Sequence, residues 1–169
     1  MSRVAGVLGD VTGLTHLHNV VYVVCEQSSI ILMYTADTLS PLGEGIHVQG
    51  MKDPSDIVAS HRDRQLYVAD WDCIWRVSVD GHSYIKWLTT ESSAHTKLSL
   101  TSRGLLVTSA ESRSLSQYRT SDQQLVRVVE MAGSVKSLYH GIATTRGTFV
   151  VSHRGTPHDD WQHAVSHPP

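Results

Sequence analysis

The chain has 169 residues, 40% apolar and 18% charged, with a formal charge of −2. That balance belongs to a globular chain long enough for one domain with its own core, and it excludes an intrinsically disordered one. It also lacks the overall basic excess expected of a protein that binds nucleic acid by neutralising phosphates, so DNA is not an expected partner.

The start, MSRVAGVLGDVTGL, has an apolar stretch broken by Gly and Asp, unlike a secretory signal. No apolar run approaches the roughly 20 residues needed to cross a bilayer, so no membrane partner is expected and the default compartment is the cytoplasm. Val4–Thr12 reads as a strand end and turn, and Leu14–Leu17 as a short strand. His18-Asn19 turns the chain into Val20–Cys25, a β-branched strand. Gln27–Ser29 turns again into Ile30–Tyr34. A polar connection, Thr35–Pro41, leads to a weaker outer strand in Leu42–Val48, and Gly50–Asp53 is a loop.

Pro54 opens the clearest unit. Ile57–Ala59, Leu66–Ala69 and Ile74–Val79 are three short apolar runs separated by a polar turn, His61–Gln65, and by Asp70. Asp80-Gly81 is a strong hairpin signal because both residues tolerate positive φ, and His82–Leu88 pairs back as a fourth strand. Thr89–Thr96 is loop-like. Leu98–Leu100, Leu105–Ser109 and Ser114–Tyr118 form the next set, with turns at Arg103-Gly104 and Ser121-Asp122, and Leu125–Met131 alternates like an outer strand. Gly141–Thr144 and Thr148–His153, joined by Arg146-Gly147, begin a fourth set. The closing RGTPHDDWQHAVSHPP carries turn residues and no strong strand. No long segment has helical periodicity.

These sets repeat. Tyr22, Tyr67, Leu106 and Phe149 fall at equivalent places in the second strand of each set, 45, 39 and 43 residues apart. Ile31, Ile74 and Leu115 do the same in the third strand, 43 and 41 residues apart. A period near 42 with about four strands per period marks an all-β fold, a β-propeller. The expected blades span about 4–50, 51–90, 91–133 and 134–169, three complete and one partial, in a single domain or fragment. Each blade packs between neighbours, which accounts for apolar runs without strict alternation. Tyr67, Trp75, Tyr84, Trp87 and Tyr118 are expected to fill the spaces between blades.

Pro54-Ser55-Asp56-Ile57-Val58-Ala59, then Leu66-Tyr67-Val68-Ala69-Asp70, then Ile74-Trp75-Arg76-Val77 resembles an NHL repeat. The match is specific in that blade. Elsewhere it is partial: Val21–Val24, Leu105–Thr108 and Thr148–Val151 lack the Asp. Blade-level similarity covers about residues 14–153. The resemblance implies a ring of six blades, roughly 250 residues at this period, so four visible blades read as an incomplete ring whose open edges favour self-association. It also implies a non-enzymatic binding scaffold that presents a rim to a protein partner, or to RNA, with no cofactor. The related gluconolactonase-like propellers imply the alternative, a metal-dependent lactone or ester hydrolase using Ca or Zn, with Asp56, Asp70 and Asn19 as channel ligands.

Few residues point to chemistry, and none is assigned as catalytic. There is no Gly-x-Ser-x-Gly elbow and no Gly-rich phosphate loop. Arg62, Arg64, Arg103 and Arg146 lie in the first hairpin turn of successive blades, where such turns share one rim; they are the binding candidates, with solvated turn charge as the plain alternative. Asp70 is expected to accept backbone N–H bonds in its turn. His16 and His18, two apart on a strand, share a face as a metal pair requires, but no third ligand stands at a recognisable spacing. The eleven histidines also include His140, His153, His158, His163 and His167 near the C-terminus. There HDDWQH offers His158, Asp159 and His163 as a metal set for the hydrolase alternative. Cys25 and Cys73, far apart and without a CxxC motif, read as buried free thiols.

Overall fold

The computed structural model describes residues 9–90, 96–109, 114–131, 135, 137–144, 148–154 and 162–166. Among them every regular element is a β-strand, and no helix is long and apolar enough to cross a membrane. The chain divides into two compact units, with the boundary between Thr89 and Thr90.

The first unit holds two four-stranded antiparallel meanders. One is β1 (Val11–Leu17), β2 (Val20–Cys25), β3 (Ile30–Thr35) and β4 (Ile46–His47). The other is β5 (Asp56–Ser60), β6 (Gln65–Ala69), β7 (Cys73–Ser78) and β8 (Tyr84–Thr89). The second unit repeats the plan with β9 (Thr96–Thr101), β10 (Gly104–Ser109), β11 (Ser114–Tyr118) and β12 (Leu125–Glu130), then β13 (Ser137–Ala143), β14 (Phe149–Arg154) and β15 (Gln162–Ser166). Consecutive strands pair in sequence order within each sheet, which is the blade of a β-propeller.

Burial explains the sequence pattern. In β6 every residue after Gln65 is buried, and in β10 every residue before Ser109 is buried. A second strand with a covered sheet face on either side has no solvent side to alternate toward. The outermost strand β12 alternates exposed and half-buried residues instead. Tyr22, Tyr67, Leu106 and Phe149 lie in β2, β6, β10 and β14, all buried. Leu17, Tyr22, Ile31, Ile57, Leu66 and Trp75 belong to one apolar cluster in the first unit. Leu106, Leu115, Leu138, Phe149 and Val151 belong to another in the second. Each such side chain contributes about 1.5–3 kcal/mol when fully buried.

The first strands of neighbouring blades are clasped by hydroxyl groups. Thr12 Oγ1 donates to the Pro54 carbonyl, and Thr15 Oγ1 accepts the Ala59 N–H at 3.2 Å. In the second unit Ser99 Oγ donates to the Gly141 carbonyl at 2.9 Å, and a His140 ring nitrogen meets the Leu98 carbonyl at 3.2 Å. These contacts span 42 to 44 residues, the sequence period expressed as hydrogen bonds. Gly13 permits the close approach of β1 to β5. A Cβ there would stand 2.9 Å from both the Asp56 Cα and the Ile57 nitrogen.

Strand limits differ from expectation by one or two residues in several elements and by more in four places, one of them β13, which begins at Ser137 rather than Gly141. β1 begins at Val11 rather than Leu14, because it pairs with the whole length of β2 through an irregularity near Thr12. The outer strand expected over 42–48 shrinks to Ile46–His47, since Gly43 and Gly45 take positive φ and break the extended run. The closing segment, read as strandless, contributes β15. It is held by main-chain pairing to β14 from Phe149↔Ser166 to His153↔Gln162, a tertiary stabilisation that local propensity does not report.

Candidate functional site

Antiparallel order puts the β1–β2 and β5–β6 turns of the first unit at one end of its sheets, and the β2–β3 and β6–β7 turns at the other. The two ends differ in chemistry.

At the second end a buried carboxylate is spent on the fold, beside exposed Glu26, Lys52 and Trp71. Asp70, 1% exposed, follows β6. Its carboxylate accepts the Lys52 N–H at 3.1 and 3.2 Å, the Asp53 N–H at 2.7 Å and the Trp75 indole N–H at 2.9 Å. It therefore binds backbone N–H groups, but those of the loop preceding the blade rather than of its own turn. Asp53 in turn accepts the Gln27 N–H from the neighbouring blade at 3.1 Å. Asp70, Asp72 and Cys73 bring ligand-type atoms within 4.8 Å of one another. Burial first, then the hydrogen bond to Asp72, pushes the Cys73 thiol up to about 12. That same bond holds the Asp72 carboxyl below its usual range, helped by Lys86, whose Nζ lies 3.5 Å away. The fold already uses the Asp70 carboxylate, which two backbone N–H groups and the Trp75 indole engage. Cys25 and Cys73 are both free and buried.

At the first end the side chains are exposed. His61, Arg62, Asp63 and Arg64 form the β5–β6 turn, in which Arg64 takes φ 50°. The Arg62 side chain is 89% exposed, with its Nε 3.9 Å from Asp63. Arg64 faces the neighbouring blade: burial pushes the Tyr22 phenol up, and the Arg64 guanidinium pulls it part of the way back. The turn itself is braced by Ser60 Oγ, which accepts the Asp63 N–H at 3.2 Å. His16 at the end of β1 and His18 in the β1–β2 turn are both exposed. Each ring stands edge-on to His61, at centroid distances of 5.9 and 5.8 Å.

The expected site residues are thus only partly brought together. Arg62 and Arg64 share one turn with His61. Arg103 lies in the corresponding β9–β10 turn of the second unit, where its N–H donates to Thr101 Oγ1 at 3.0 Å. Arg146, His158 and Asp159 lie outside the described residues, and of His163 only the backbone pairing to Ser152 is described. Asn19 sits in the β1–β2 turn, whereas Asp56 opens β5 at the opposite end, level with Gly13. Four strand residues separate those levels, about 13 Å, and the Asp56 carboxylate accepts the N–H of Ile57 at 2.9 Å. The residue that the sequence reading did not join to His16 and His18 is His61. Its signal was the period, since it stands 45 and 43 residues beyond them.

Neither a family model nor a curated protein matches the chain. Solved structures do match it in fold. The hydrazine synthase of Kuenenia stuttgartiensis superimposes with a TM-score of 0.71 at 13% identity, over 97% of this chain and 49% of that one. A chain of a nidogen/laminin complex gives 0.70 at 16% identity, over 86% and 57%. The β-propeller domain of Myceliophteria thermophila Cps50 (Swd1) gives 0.60 at 10% identity, over 85% and 49%. The chain spans about half the length of these structures. At such identities the likeness establishes the β-propeller fold and nothing finer.

Proposed function

We propose that this chain is a non-enzymatic binding scaffold, an NHL-like propeller that presents the turn end carrying Arg62 and Arg64 to a protein partner. The observation that supports it is the contrast between the two ends of the first unit. At the other end the Asp70 carboxylate is committed to internal hydrogen bonds, while the β5–β6 turn holds two guanidinium groups, Arg62 and Arg64, exposed on a braced backbone. Exposed guanidinium groups on a rigid turn suit bidentate recognition of carboxylates, so the expected partner surface is acidic. RNA is the other ligand that such a turn serves.

The test compares the wild-type chain with the Arg62→Glu/Arg64→Glu double variant. Binding to an immobilised Glu/Asp-rich peptide and to a single-stranded RNA probe is measured at low and physiological salt. Peptide binding that the variant loses supports the reading. RNA binding alone moves it to the nucleic-acid form, and equal behaviour of both chains removes the turn from the function. The competing reading, a metal-dependent lactone or ester hydrolase, would draw its carboxylate from a residue other than Asp70, which is already engaged. Ester turnover that depends on added Ca²⁺ would favour it.

A further inference from the structure

We propose that His16, His18 and His61 form a binding site for a divalent transition ion, with Zn²⁺ the first expectation. Three imidazoles from two neighbouring blades meet at one end of the first unit. His61 is central, with His16 at 5.9 Å and His18 at 5.8 Å from its ring centroid. Two imidazoles on one tetrahedral ion, with N–Zn near 2.0–2.1 Å, hold their centroids about 5 Å apart. Two of the ring pairs, His16–His61 and His18–His61, therefore stand within about 1 Å of metal-bound centroid spacing. The three sets of ring nitrogens do not yet lie within 4.8 Å of one another, and rotation of the exposed side chains is the movement that an ion would have to draw.

The backbone places these ligands without help from an ion. His16 is next to last in β1, paired with Val21. His18 takes φ 53° in the turn that follows, and His61 opens the turn after β5. The Thr15–Ala59 hydrogen bond lies one residue from His16 and two from His61, so it fixes the separation of the two blades beside the three rings. Edge-on packing leaves ring nitrogens unclaimed by one another, and among the described residues no carboxylate or thiolate completes a ligand cluster with them. An all-imidazole set suits Zn²⁺, Ni²⁺ or Cu²⁺ and disfavours Ca²⁺ and Mg²⁺, which prefer oxygen. Three protein ligands leave a fourth position for water or for a donor group of a partner. The site would join the β1–β2 hairpin to the β5–β6 hairpin and tether the two blades.

The experiment uses the full, untagged chain after chelation, titrated with Zn²⁺ alone by calorimetry and by competition with a chromophoric zinc indicator. Variants are His16→Ala, His61→Ala and His18→Asn, the last because Asn tolerates left-handed backbone. Controls are His82→Ala, exposed in the β7–β8 turn, and the His158→Ala/His163→Ala pair. The expected result is one Zn²⁺ per chain with micromolar or tighter affinity, weakened at least about tenfold by each cluster substitution and unchanged in both controls. Melting temperature should rise with Zn²⁺ in the wild type, not with Ca²⁺, and not with Zn²⁺ in His61→Ala. Melting in chelator shows which variants remain folded, and any one folded cluster variant suffices for the comparison. No binding at hundred-micromolar Zn²⁺, full affinity in a folded His61→Ala chain, or loss of binding through the His158/His163 pair would each overturn the proposal.

Discussion

The indole N–H of Trp75 donates to Oδ2 of Asp70 at 2.9 Å, joining two residues that the blade pattern places five apart. The contact makes the Asp of the strand–Asp–turn sequence a structural keystone. Its carboxylate gathers the loop at Lys52 and Asp53 with strand β7. Trp75 also stacks edge-on against Tyr84 at 6.1 Å and lies under Lys86 at 5.6 Å, so the indole connects β7, β8 and the residue that follows β6.

Asp70→Ala should therefore destabilise the chain by about 3 kcal/mol or more, because it leaves two backbone N–H groups and an indole N–H without their charged acceptor. Asp70→Asn should cost less, about 1–3 kcal/mol, since one carbonyl oxygen remains. Urea unfolding followed by tryptophan fluorescence reads both. A loss under about 0.5 kcal/mol in the alanine variant would contradict the role assigned to this carboxylate.

Gly13→Ala should destabilise by about 1–3 kcal/mol, the usual cost of forcing atoms into a filled contact. The added Cβ meets backbone atoms of Asp56 and Ile57 at 2.9 Å, and backbone cannot swing aside as a side-chain tip can. Gly43→Ala is a matched control: its φ of 64° is strained, but no atom lies within 4 Å of the added carbon. Thermal melts of the two variants should separate steric from conformational cost.

Cys73 should resist alkylation in the native chain. With its pKa near 12 against an ordinary value of about 9, the thiolate fraction at pH 8 falls by about a thousandfold, and burial adds to that protection. Iodoacetamide labelling followed by mass spectrometry, native against urea-unfolded, checks this. The raised folded value also gives the sign of the stability change. The contribution is fully present below the unfolded pKa near 9, and it is lost as pH rises from there toward 12.

Ser99→Ala should cost about 1 kcal/mol by removing the hydroxyl bond to the Gly141 carbonyl. Arg62→Glu should leave stability within about 0.5 kcal/mol, because its side chain is 89% exposed. Chemical unfolding of both variants distinguishes a residue that clasps blades from one that is free to meet a partner.

Much of the architecture was legible because the blade is a local object. Val20–Cys25 is β-branched, Asp80-Gly81 is a turn in which Gly81 takes φ 73°, and the aromatic and aliphatic anchors recur at nearly constant spacing. Such features depend on neighbours a few residues away, so the linear chain displays them. The end of the chain was not legible: β15 exists through its pairing with β14, and its own residues carry no strong strand preference.

The amino-acid order alone determined the all-β class, the repeat and the burial of the second strands, since turn chemistry and apolar runs act over short distances. Only the tertiary structure decided which groups meet across blades. The loop N–H groups that Asp70 accepts and the His61 ring beside His16 and His18 lie 17 to 45 residues away in sequence. Their proximity follows from sheet-to-sheet packing, whose register is set by many buried contacts acting together and is written in no single motif.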